Sequence, residues 1–195
     1  MVRGRPREFD IEEALGKALR VFWERGFRAT SITNLTEATG VGRTGLYAAY
    51  GNKESLFLLA LDRYMALAYT DCAEMLEAEP DARRAVEAHL LRMADSITKP
   101  GNVHSCMLMN TVQESAVLSS KVGERVSQLY VRILGAVQGR LKRAQAEGQL
   151  GPDEDTDLLA RFLQGQVIML SVLARYGVER DVLVKMVKKA MRAWP

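Results

Sequence analysis

The chain has 195 residues, 48% of them hydrophobic, with 5 prolines and 2 cysteines, so it can bury a sizeable core without disulfide support, and disorder is not its default state. No apolar run reaches 18 residues before Arg, Lys or Gln interrupts it, and residues 1–7 carry no apolar signal core; the expectation is a soluble cytoplasmic protein with no membrane partner. The net charge is +3, and residues 1–53 hold 9 Lys or Arg against 6 Asp or Glu, whereas the remainder balances, which puts the surplus where a polyanion would be held.

Helical spacing recurs from end to end and no stretch alternates like a strand, so the fold class is all-α, with about nine helices. The first helix opens at Asp10, with Glu13 completing a capping box, and lines Ile11, Ala14, Leu15, Ala18, Leu19 and Phe22 along one face before Arg25 and Gly26 close it. A short helix capped by Thr30 or Ser31 runs to Thr39. After Gly40 comes another, over about residues 42–50. Asn52 caps a fourth that continues to about Ala78, ahead of Pro80. At roughly 1.5 Å per residue it would be about 39 Å long, enough to join two layers. Further helices are expected over residues 81–97, 105–116 and 119–147. A Gly, Pro and Asp-rich loop at 148–155 separates these from two last helices over 156–176 and 180–192.

Residues 31–50 form two short helices joined through Gly40, the dimensions of a DNA-reading helix-turn-helix. The pair is too short to stand alone and must pack on the first helix through Phe22, Trp23, Ile32, Leu35, Val41 and Leu46. With Leu46 inward, Arg43, Thr44 and Gly45 stand at the exposed start of the second short helix. There Arg43 can fork onto guanine or phosphate, Thr44 can meet a base edge, and Gly45 permits close backbone approach. Lys53 opposes the macrodipole of its helix unless a phosphate sits there, in which case its ammonium and the amides of Asn52, Lys53 and Glu54 make an anion site. The alternative is an exposed lysine compensated by Glu54. Tyr47 can offer its hydroxyl to the same backbone; Ser31, Thr33 and Tyr50 complete the expected DNA-contacting set. The amino-terminal Arg3 and Arg5 read either as a minor-groove arm or as a basic tail with no defined contact.

The ordered set Phe22, Trp23, Glu24, Arg25, Gly26, Phe27, Arg28, Ala29, Thr30, Ser31, then Gly40, Val41, Leu46, Tyr47, then Tyr50, Gly51, Asn52, Lys53, Glu54, Ser55, Leu56 resembles the signature of the tetracycline-repressor family of bacterial regulators. The likeness covers roughly residues 10–61. It departs from the family's usual pattern at Gly42, Thr36 and Tyr50. The resemblance implies a homodimer on a palindromic double-stranded operator, usually a repressor, released by a small, largely hydrophobic effector held in the carboxyl-terminal body. It also implies that Thr44 and its neighbours face bases while Tyr47 and Lys53 hold phosphates. The domains expected are a DNA-binding head over 1–53 and a ligand-binding, dimerising body over 54–195.

In the body, the last two helices have broad apolar faces, expected to pair with their copies as a four-helix bundle through Phe162, Gly165, Leu170, Leu173, Leu183, Met186, Val187 and Met191. The segment from His104 to Glu114 resembles one branch of the same family, with Cys106 and Asn110 ahead of Glu114. An effector pocket is expected among Met65, His89, Met93, Cys106, Asn110, Phe162, Gln166 and Met169, since methionine adapts to irregular apolar guests; the competing reading of a methionine stripe is ordinary core. Cys106 reads as a small buried hydrophobe, the alternative being a redox or soft-metal sensor. No nucleophile with a spaced base, phosphate loop or metal motif is present, so neither an enzyme nor a cofactor is expected.

Overall fold

A computed structural model describes residues 9–114 and 118–195. Arg3 and Arg5 lie outside the described residues. The described part is all-α: α1 (Ile11–Ala29), α2 (Ile32–Thr39), α3 (Arg43–Tyr50), α4 (Lys53–Ala78), α5 (Ala82–Thr98), α6 (Met107–Glu114), α7 (Ser120–Ala146), α8 (Thr156–Arg175) and α9 (Arg180–Ala190), with a closing 3₁₀ turn at Met191–Ala193.

Local chemistry sets most of these limits. Asp10 Oδ1 accepts the N–H groups of Glu12 at 2.8 Å and Glu13 at 3.1 Å, satisfying donors that the first turn leaves free. Glu13 pairs with Lys17 instead of reaching back to its cap. Ser31 and Asn34 form a reciprocal capping box on α2, and Asn52 and Asp155 cap α4 and α8. Gly26, with φ of +78°, breaks the helical path where the sequence ends the first helix, although a last short helical run continues to Ala29.

The first three helices pack around Phe22, Leu35, Val41, Leu46 and Phe57, all buried. Phe57, from α4, sits 5.0 Å from the Phe22 ring and 5.1 Å from that of Phe27. The expected head therefore needs the start of α4 to close its core. Beyond it α4 packs against α5 and α7, and α8 lies among α5, α7 and α9. α8 is long and apolar enough to cross a bilayer by length and composition alone; here its inward face, with Leu159, Leu163, Val167 and Leu170, is core. Arg140, fully buried on α7, donates to the carbonyls of Leu76, Glu79 and Pro80 at 3.0, 3.2 and 2.6 Å. It thereby satisfies the end of α4, which Pro80 prevents from continuing.

Candidate nucleic-acid interface and effector cavity

Gly40, left-handed at φ +73°, turns α2 into α3 and returns its N–H to Thr36 O at 2.9 Å. Leu46 and Tyr50 point inward from α3, which leaves Arg43, Thr44 and Ala48 exposed and Tyr47 half-buried. Arg43 lies over the Tyr47 ring, 5.4 Å from its centroid, so the two share one patch. Ser31 and Thr33 are exposed at the start of α2, although the Ser31 hydroxyl is already engaged with Asn34.

One expected contact is overturned, and two more have additional partners within the head. Tyr50 is buried, and its hydroxyl donates to Ile11 O at 2.6 Å; it joins α3 to α1 and does not face outward. At Gly45, an added Cβ would lie 2.9 Å from Val41 Cγ1 and 3.6 Å from Phe9 Cε1, so packing within the head demands this glycine. Lys53 is drawn over the Phe27 ring, Nζ 4.4 Å from the centroid; burial lowers its pKa and Glu114 opposes that shift.

Glu114 belongs to a junction that fastens the body to the head. Its Oε2 accepts Phe27 N–H at 2.8 Å and Arg28 N–H at 3.4 Å. A Cβ at Gly26 would meet Glu114 Oε1 at 2.5 Å. One turn earlier on α6, Asn110 Nδ2 donates to Trp23 O at 3.2 Å and Ser105 Oγ at 2.8 Å, while its Oδ1 accepts from Arg175 at 2.6 Å. Asn110, expected at ligand, is thus committed to this junction. Trp23, expected in the head core, donates through Nε1 to Ser105 O at 2.7 Å and packs edge-on against Tyr64.

Behind the junction lies a cavity of about 460 Å³ bordered by Trp23, Tyr64, His89, Met93, Ser105 and Cys106, with Asp71, Glu74 and Arg92 also on its wall. A smaller chamber of about 50 Å³ shares Tyr64, Ala68, His89, Met93 and Cys106 with it and adds Cys72, Leu108, Met109, Tyr130, Ile133, Gln164, Val167 and Ile168. Of the expected lining, His89, Met93 and Cys106 are present. Met65 is core; Phe162, Gln166 and Met169 lie on another face of α8, and the Gln166 amide donates to Phe162 O. Periodicity points to the wrong side of this helix because its apolar residues extend around both sides. Gln164, Tyr64 and Tyr130 were missed, having no distinctive spacing.

Tyr64 Oη and Cys106 Sγ are 3.2 Å apart; burial, then the neighbouring Cys106, push the phenol well above its ordinary range. Burial raises the Cys72 thiol to about 12 and lowers the pKa of His89, an effect Asp71 opposes. His104 Nδ1 lies 2.8 Å from Ile97 O. Among the described residues no group of three or more His, Cys, Asp or Glu is placed to hold a metal ion.

The expected dimer face also needs correction. Leu170, Leu183, Val187 and Met191 are all at most 1% exposed within one copy of the chain. They are core because α8 and α9 turn their most apolar sides toward α5. Phe162, Gly165, Leu173 and Met186 remain at least partly accessible. The outward stripe of α8 runs Leu158, Phe162, Gly165, Met169, Val172 and Tyr176, in steps of four and three, with Leu158 65% and Tyr176 83% exposed.

Residues 14–60 match the family model described as bacterial regulatory proteins, tetR family, and residues 82–193 match the tetracyclin repressor-like C-terminal domain. The HTH-type transcriptional repressor ComR of Escherichia coli strain K12 is 31% identical over 194 residues, covering 99% of this chain and 92% of that protein. The HTH-type regulator YezE of Bacillus subtilis strain 168 is 29% identical over 181 residues, 92% of this chain and 93% of its own length. A cysteine mutant of the TetR family regulator CifR, solved with 26-bp double-strand operator DNA, superposes with a TM-score of 0.90 at 33% identity, covering 98% of this chain and 100% of that one. The chain belongs to the tetR family of bacterial regulatory proteins and is a helix-turn-helix transcriptional regulator, not an enzyme.

Proposed function

We propose that this regulator is a cytoplasmic repressor that binds a palindromic operator as a homodimer and releases it when a small, largely apolar molecule fills the cavity behind α6. Arg43 and Thr44 face bases, Tyr47 and Lys53 hold phosphates, and Arg3 and Arg5 supply a minor-groove arm. The outward stripe of α8 pairs with its copy, which sets the spacing of the two heads.

The observation that carries the proposal is the double role of one short segment. Ser105 and Cys106 border the cavity, and Asn110 and Glu114 on the helix that follows hold Trp23, Phe27 and Arg28 of the head. A ligand that favours a different position of this segment changes how the head is held, and by linkage operator DNA disfavours that ligand to the same degree. Duplexes recovered by selection from genomic fragments provide the test. The full chain is expected to bind a pseudo-palindrome with two protomers per duplex. Binding of one protomer per site, or equal affinity for all sequences at physiological salt, overturns the proposal.

A further inference from the structure

Among the described residues, two buried polar atoms on side chains that line the inner chamber lack hydrogen-bond partners. Gln164, on α8, is 5% exposed, and its Oε1 meets no donor among the described residues. On α5, His89 Nδ1 is also buried and unpartnered, while the ring's other nitrogen lies 3.8 Å from Cys72 Sγ. Both side chains line one chamber. A buried polar atom without a partner loses its hydration with nothing in return, so a pair of them on side chains lining one space is a strong demand on whatever fills it.

We propose that the cavity takes an uncharged, mainly apolar molecule whose hydroxyl reaches into the inner chamber, and that Gln164 and His89 bind this hydroxyl. The inference rests on the cavity being the effector site and specifies the chemistry of the effector. An amide oxygen only accepts, so it requires a donor. A hydroxyl donates one hydrogen and keeps two lone pairs, so it can donate to Gln164 Oε1 while accepting from His89 Nδ1–H, in the tautomer whose Nε2 faces the Cys72 thiol as acceptor. Around them Met93, Tyr130, Ile133 and Val167 offer apolar contact for the rest of the molecule.

Charge is disfavoured by what the inner wall lacks. Among the described residues no Lys, Arg, Asp or Glu borders the inner chamber. The acidic and basic groups all belong to the outer cavity, where Arg92 is already paired with Asp71 at 2.9 Å. An ion reaching Gln164 would give up its hydration without a counter-charge, and a carboxylate would set its oxygens against another acceptor.

Four probes of one size decide the matter: benzyl alcohol, toluene, benzoate and benzylammonium, titrated into the full chain by calorimetry. Benzyl alcohol is expected to bind about tenfold more tightly than toluene, the gain of roughly one well-made hydrogen bond, and both ions to bind more weakly than either. Gln164→Leu keeps the shape and removes the acceptor. It is expected to bring the alcohol-to-toluene ratio close to one while toluene still binds, and His89→Phe should lower the ratio in the same direction. Equal binding of alcohol and toluene, preference for either ion, an unchanged ratio in Gln164→Leu, or no binding by any probe overturns the proposal. Operator affinity measured in the same samples separates the two inferences. Alcohol binding that depends on Gln164 but leaves operator affinity unchanged supports the chamber chemistry and refutes the effector role. Operator release that is indifferent to Gln164 refutes the chemistry alone.

Discussion

Glu114 Oε2 accepts the backbone N–H of Phe27 at 2.8 Å, joining the end of α6 to the point where α1 breaks. The break is Gly26, whose positive φ turns the N–H groups of Phe27 and Arg28 toward the carboxylate and whose missing side chain makes room for it. One acidic residue and one glycine thus help to set the angle between head and body, beside the contacts made by Asn110 and Trp23.

Removing either is expected to loosen that angle. Glu114→Ala leaves the Phe27 and Arg28 N–H groups without their acceptor, at a cost of about 1–3 kcal/mol. Gly26→Ala forces a Cβ into both a left-handed backbone and the carboxylate, at a cost of similar size. Urea denaturation measures both costs, and operator titration is expected to show a loss of affinity in both variants. Wild-type stability in Glu114→Ala would mean that the contact does not hold the head.

Much of this architecture is written in the sequence, because caps, glycine turns and helical periodicity are local. Asp10, Ser31, Gly40, Asn52 and Asp81 each mark a boundary found within a residue or two in the structure. The junction is not local: Glu114 and Phe27 are 87 residues apart, and nothing at either position announces the other. Nor can periodicity tell which of two apolar sides of one helix meets its own core. Leu170 and Phe162 read alike in sequence, yet the first is buried and the second is 40% exposed.

Lys53 and Thr44 are expected to fail in different ways. Lys53→Ala removes the cation proposed to hold a phosphate, so it should weaken all duplexes alike and reduce the slope of log affinity against log salt by about one. It also strips the ammonium from the face of Phe27, a smaller effect visible as a stability change without DNA. Thr44→Ala should leave the salt slope alone and alter preference among base pairs. Anisotropy titrations at several salt concentrations with matched duplexes distinguish the two; an unchanged slope in Lys53→Ala removes it from the phosphate contacts.

His89 gives the fold a dependence on pH. Burial lowers its pKa below the ordinary 6.5 in the folded chain, so the unfolded chain binds more protons in the interval between the two values. Stability is therefore expected to fall as pH drops through and below 6.5, with a slope from this residue of at most about 1.4 kcal/mol per pH unit. The loss levels off once pH passes below the folded value. His89→Phe should flatten this part of the profile; denaturation midpoints of the two proteins that stay parallel from neutral to mildly acidic pH would contradict it.

With the outward stripe of α8 as the proposed dimer face, substitutions there and in the core separate assembly from folding. Phe162 is 40% exposed within one copy of the chain, whereas Leu183 on α9 is fully buried. Phe162→Glu places a charge in the proposed interface. Because it disturbs little inside the protomer, sedimentation should show monomers of near-normal helix content. Operator affinity should then collapse, since a single head keeps only half of the phosphate and base contacts. Leu183→Ala is expected to do the reverse, costing about 2–5 kcal/mol of stability through the cavity it leaves while dimers persist among the molecules that remain folded. Dimers that survive Phe162→Glu at micromolar concentration would move the interface to another face of the body.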